Sequence, residues 1–139
     1  MTNEYKHFFL FALVGTTGFL VDAGILSLLL FAGIGSIPAR LPSFLVAATY
    51  TWAANRRVTF RDQESSLIKQ WAKFLLVNSA GALANLSVYT CLVWPDGGSA
   101  VSPAAAVAAG SLAGLIFNFT LSKRFVFINR PAPLYVRTR

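Results

Sequence analysis

Between Lys6 and Arg40 the chain carries a single charged side chain, Asp22, and nearly everything else in that stretch is apolar or small. A run of this kind belongs in lipid. A helix needs about 20 residues to cross a hydrocarbon core of about 30 Å, and four segments reach that length: 8–31, 39–60, 69–94 and 103–128. The breaks between them have local causes. Gly33, Gly35 and Pro38 form the first turn, a polar loop follows at 62–66, and Pro95, Asp96, Gly97 and Gly98 form the third turn. Pro103 then suits the opening turn of the last helix. Only 12% of the residues are charged, against about 25% in a soluble domain, so there is too little polar surface to coat a water-soluble globule. The first run is longer than the core of a signal peptide, carries Asp22 and leads to no clear cleavage site, and it reads as a retained helix. The fold class expected is an all-α membrane protein with four transmembrane helices, followed by a loosely ordered tail over 129–139.

The net charge of +7 taken alone could suggest nucleic acid, but its placement argues against that partner. The basic residues sit at the ends of apolar runs, where anionic lipid headgroups are the simpler partner. Eleven of the twelve Lys and Arg residues share one side: Lys6, Arg56, Arg57, Arg61, Lys69, Lys73, Lys123, Arg124, Arg130, Arg137 and Arg139. Only Arg40 falls on the other, which places both termini and the middle loop in the cytoplasm. Cys91 and His7 are the only residues of their kinds, so neither an internal disulfide nor a metal cluster is expected.

The chain also repeats itself over 5–60 and 68–127. Phe11, Leu13, Val14, Gly18 and Asp22 fall on Phe74, Leu76, Val77, Gly81 and Asn85, and upstream Lys6 falls on Lys69. Asn55, Arg56, Arg57, Val58, Thr59 and Phe60 fall on Ser122, Lys123, Arg124, Phe125, Val126 and Phe127. Each repeat is a helical hairpin entering from the same side, so the two are parallel repeats about an axis along the membrane normal.

Small and polar residues spaced by three and four form one stripe on each helix: Gly15, Gly18, Asp22; Ala47, Thr51, Asn55; Asn78, Gly81, Asn85; and Gly110, Gly114, Asn118, Ser122. Such stripes serve helix packing or line a polar groove. Asp22 bears on the choice, because an ionised carboxylate at mid-membrane costs about 2.5–3.5 kcal/mol. It is expected to face the interior and to bond Asn85 or Thr51. The basic pairs Arg56–Arg57 and Lys123–Arg124 are bracketed by apolar residues, which holds them at headgroup depth. There they set topology and bind ordinary lipid phosphate, or they recognise a particular phosphate-bearing lipid. Trp52, Trp71, Trp94 and Tyr5 read as interfacial anchors or lipid-facing bulk. No nucleophile–base pair or Gly-rich phosphate loop is visible, so no enzymatic activity and no cofactor are expected.

The opening from Lys6 through Gly15 to Gly18 and Asp22 resembles that of GtrA-like proteins. The ending Asn55-Arg56-Arg57-Val58-Thr59-Phe60, and its counterpart from Asn118 to Phe127, resemble that family's endings of the second and fourth helices. The resemblance covers about residues 5 to 128. It implies residence in the bacterial cytoplasmic membrane and movement of a polyprenyl-phosphate-linked sugar, such as undecaprenyl-phosphate glucose, between leaflets for cell-surface polysaccharide synthesis. It also implies work beside a membrane-associated glycosyltransferase. Carried over, Arg56, Arg57, Lys123 and Arg124 would engage the lipid phosphate, and Asp22, Asn55, Asn85 and Asn118 would line the path. Four short helices give little room for a sugar head, so a homo-oligomer is expected. Two other functions compete: a non-transporting subunit that anchors the glycosyltransferase, and a small cation/proton antiporter, against which the basic inner rim argues.

Overall fold

A computed structural model describes residues 2–61, 66–93 and 101–127. Trp94, the turn at 95–98, loop residues 62–65 and the tail at 129–139 lie outside the described residues. Among those described there are helices and no strands. Helix α1 spans Thr2–Phe31. Its end is capped by Gly33 at φ +83°, with Gly33 N–H donating to the Leu30 carbonyl and Ile34 N–H to that of Leu29, each at 3.0 Å. This paired arrangement satisfies carbonyls left over at the helix end, and it needs a residue that tolerates positive φ. Helix α2 spans Ser36–Ala54, α3 Leu67–Val93 and α4 Pro103–Leu121. Ser102 caps α4 by accepting from Ala105 N–H at 3.3 Å, directly ahead of Pro103.

The apolar pattern runs the second and fourth helices unbroken to 60 and 128. The structure instead ends each in a π turn, Asn55–Thr59 after α2 and Ser122–Val126 after α4. The wide turns close with Phe60 N–H donating to Asn55 at 2.9 Å and Phe127 N–H to Ser122 at 2.8 Å. A π turn takes up one extra residue, which rotates the next residues by about 100° relative to the α register. The buried stripe Ala47–Asn55 thereby continues into Thr59 and Phe60.

Consecutive helices run antiparallel, as their pairings show. Thr51 lies over Gly18 and His7 against Phe60; Trp71 Nε1 donates to Thr49 Oγ1 at 3.0 Å. Asn85 lies over Gly110, and Phe8 meets Phe119 edge-on. The hairpins are joined at the end holding the α1 N-terminus and both π turns, the terminal end. There Phe60 and Phe127, matching residues of the two repeats, stack with centroids 4.5 Å apart and planes 11° apart. Phe11 packs on Phe60 at 6.2 Å and Phe74 on Phe127 at 5.9 Å. Matched residues make matched contacts, so the pseudo-twofold passes between the stacked rings.

Large apolar side chains such as Phe9, Leu20, Leu76 and Leu83 are exposed around the outside. Among the described residues three helices are long and apolar enough to cross a membrane, over Glu4–Phe31, Leu67–Val93 and Ala105–Val126.

Candidate functional site: a polar cavity between the hairpins

Above the phenylalanine cluster the hairpins part and leave an open cavity of about 570 Å³, which Phe11 and Phe74 line together with residues from all four helices. Asp22, Asn55, Asn85 and Asn118, the four residues expected to line a polar path, all border it, as do Thr51 and Asn78. The small residues decide which side chains can stand there. A Cβ at Gly81 would strike the Asn118 amide, and one at Gly110 would come within 2.5 Å of Asn85 Oδ1. One at Gly18 would strike the Thr51 methyl. Glycine thus lets each polar residue cross onto the neighbouring helix while it still borders the cavity. The stripes pack helices and line a groove at the same time.

Several polar atoms are already occupied. Asn55 is buried, and its Oδ1 accepts from Thr59 Oγ1 at 2.7 Å. Asn78 Nδ2 donates to the Phe74 carbonyl at 2.9 Å. Asp22 does not bond Asn85 or Thr51: its Oδ2 accepts from Arg40 Nη1 at 2.6 Å. The expectation failed because Arg40, eighteen residues on, reaches back across the turn to the same face. By contrast, Asp22 Oδ1 and Asn118 Oδ1 are buried without a hydrogen-bond partner. Buried acceptors of this kind call for donors.

The four cations expected at the lipid phosphate do not line the cavity. They stand on the π turns, at the terminal rim. Arg56 Nη1 donates to Gln70 Oε1 at 2.5 Å, and Lys123 pairs with Glu4. Arg57 and Arg124 are exposed, the latter with its guanidinium 5.6 Å from the Phe125 ring centroid.

A family model described as the GtrA/DPMS transmembrane domain matches residues 10–127. The chain belongs to the GtrA/DPMS transmembrane-domain family. No curated protein matches it. Membership makes the chain a membrane protein of a family of polysaccharide and glycolipid synthesis, and the matched region contains every residue that borders the cavity.

Two residues of this GtrA/DPMS domain take part in the site without having stood out in the sequence. Charge counting treats Arg40 only as the exception to the asymmetry. The signal that finds it is a lone arginine early in the helix after one bearing a mid-membrane acid. Gln70 is buried; its Oε1 also accepts from Trp52 Nε1 at 3.1 Å, and its Nε2 donates to the Val126 carbonyl at 3.4 Å. Gln70 thus ties α3 to both π-turn regions. Trp52 accordingly packs against the core instead of standing in lipid as bulk.

Proposed function

We propose that this protein moves a polyprenyl-phosphate-linked monosaccharide, such as undecaprenyl-phosphate glucose, across the bacterial cytoplasmic membrane without enzymatic chemistry. The carrying observation is the cavity between the hairpins: asparagines and buried acceptors set in a mostly apolar lining, with an apolar outer surface beyond it. A sugar phosphate cannot cross hydrocarbon unaided because its polar groups would lose their water. A cavity of about 570 Å³ falls inside the roughly 300–1,000 Å³ range of small-molecule sites, while the polyprenyl tail stays in lipid.

In this reading α2 is a fourth crossing. At about 1.5 Å per residue, its 19 residues cover nearly the hydrocarbon thickness, and it lies alongside α1 and α3. Both termini are cytoplasmic, by the charge asymmetry. The lipid phosphate first meets Arg57 and Arg124 at the terminal rim, with Arg56 and Lys123 released from Gln70 and Glu4 to join them. The sugar then passes against Asn55, Asn118, Asn85 and Asp22. Anionic lipids surround the rim, a glycosyltransferase supplies the lipid-linked sugar, and a second copy of the chain widens the path.

Leaflet exchange of undecaprenyl-phosphate glucose in proteoliposomes tests the reading. Exchange by wild type that drops about tenfold or more in Arg56→Ala/Arg57→Ala is the expected result, one tenfold loss being about 1.4 kcal/mol. Folded wild-type protein that moves no lipid-linked sugar above protein-free vesicles would reject it in favour of a glycosyltransferase anchor.

A further inference from the structure

Arg40 is the cavity's own cation, and it stands on α2 at the end away from the rim. Its pairing with Asp22 is lopsided. The carboxylate is enclosed, its side chain 16% exposed, with Oδ1 buried and unpartnered; the guanidinium side chain is 59% exposed. A guanidinium presents five N–H donors in a planar fork. Among the described residues that of Arg40 makes one bond, to Asp22, and the exposed remainder of the fork has further donors to offer. The pair is also absent from the repeated scaffold. Asp22 matches Asn85 in the second hairpin, and carrying the Asn55–Ser122 alignment back along the helices sets Val107 opposite Arg40. The second hairpin folds with no such ion pair, so a hairpin of this design does not depend on one.

The geometry points to Arg40 as a phosphate-binding residue at the far end of the cavity, with Asp22 as the counter-ion that an arriving lipid phosphate displaces. This rests on the transport reading and adds a second station to it: the phosphate leaves the rim cations at one end and meets Arg40 at the other. The fork matches two phosphate oxygens as well as it matches a carboxylate. While the cavity is empty the pair also compensates the enclosed Asp22 carboxylate, because an unpaired charge away from water is costly. Once displaced, the carboxylate accepts from the sugar hydroxyls, the donors its Oδ1 lacks. The phosphate gains Arg40 only by leaving Asp22 without its counter-ion, so it is held without being trapped.

The test is binding of radiolabelled farnesyl phosphate to the full chain in phosphatidylcholine nanodiscs. It compares wild type with Asp22→Asn, Arg40→Gln, Arg40→Lys and the Asp22→Asn/Arg40→Gln double variant, with thermal unfolding of each as the check on folding. Asp22→Asn is expected to tighten binding about tenfold, since the phosphate no longer competes with a carboxylate. Arg40→Gln should remove the gain, the double variant should match Arg40→Gln, and Arg40→Lys should fall between. Should Arg40→Gln fail to fold, Asp22→Asn and Arg40→Lys decide the matter. Equal binding by wild type and Asp22→Asn, or weaker binding in Asp22→Asn, would overturn the assignment. Added phosphatidylglycerol separates the sources: competition that requires Arg40 makes the ligand a bulk phospholipid phosphate, and no competition makes it the polyprenyl phosphate. The two readings fail separately. Leaflet exchange without the Asp22→Asn gain removes only this station, whereas the gain without leaflet exchange removes only transport.

Discussion

At Gly81 the helix backbone and the Asn118 amide share the space a side chain would take, while at Gly15 a Cβ would meet nothing within 4 Å. Two glycines on matching stripes therefore have opposite sensitivities. Gly81→Ala forces Asn118 or α4 to shift, at a cost of about 1–3 kcal/mol; adding Asn118→Ala should return part of it, as read by thermal unfolding in detergent. Gly15→Ala should leave stability unchanged or raise it by up to about 1 kcal/mol from helix propensity. The stripes themselves were legible in the sequence, because spacings of three and four report a shared helix face. Which glycine is crowded was not legible, since that depends on which residue of the facing helix arrives opposite. The same holds for Asp22: its inward placement followed from cost, but its partner Arg40 followed only from the rotation of α2 against α1.

The π turns are the elements that make the terminal end a seal. Each adds a residue at the same place in its repeat and turns a phenylalanine inward, so that Phe60 and Phe127 meet. Val58 is exposed within the first π turn. Its side chain contributes little to packing, so Val58→Ala should change stability by no more than about 0.5 kcal/mol. Inserting an alanine after Val58 adds a second extra residue, swings Phe60 about 100° away from Phe127, and should cost about 3 kcal/mol, comparable to truncating a buried phenylalanine. Equal unfolding midpoints for the substitution and the insertion would show that the register the wide turn gives Phe60 is incidental. Nothing in the residues Asn55–Thr59 distinguishes a π turn from a further α turn, so the apolar pattern alone carries the helix straight on. The helices were readable as apolar runs, and three of them have the length and apolarity that lipid imposes on a crossing segment.

Across the whole molecule, two similar hairpins share an axis but differ in the residues they place around it. Asp22 and Arg40 in the first stand against Asn85 and Val107 in the second, and Gln70 ties α3 to both π-turn regions. Membership in the GtrA/DPMS family was legible from the ordered motifs. The enclosure of Asp22, Asn55, Asn85 and Asn118 by one cavity was legible only as four separate stripes. The placement of the rim cations outside it was not, because their direction is set by the π turns. Orientation is open to direct measurement: in a Cys91→Ala background, Ile34→Cys should react with a membrane-impermeant maleimide on intact cells, and Ser66→Cys only after lysis. The reverse pattern would invert the topology.

The polar cavity as the route of the sugar head is tested most directly by blocking it without unfolding the bundle. Gly15 borders the cavity and has open space beside it, so Gly15→Phe fills the route, whereas Leu20→Phe changes a side chain exposed to lipid. Leaflet exchange of undecaprenyl-phosphate glucose should fall about tenfold or more in folded Gly15→Phe and stay at the wild-type rate in Leu20→Phe. Wild-type exchange by Gly15→Phe would contradict a path through this cavity.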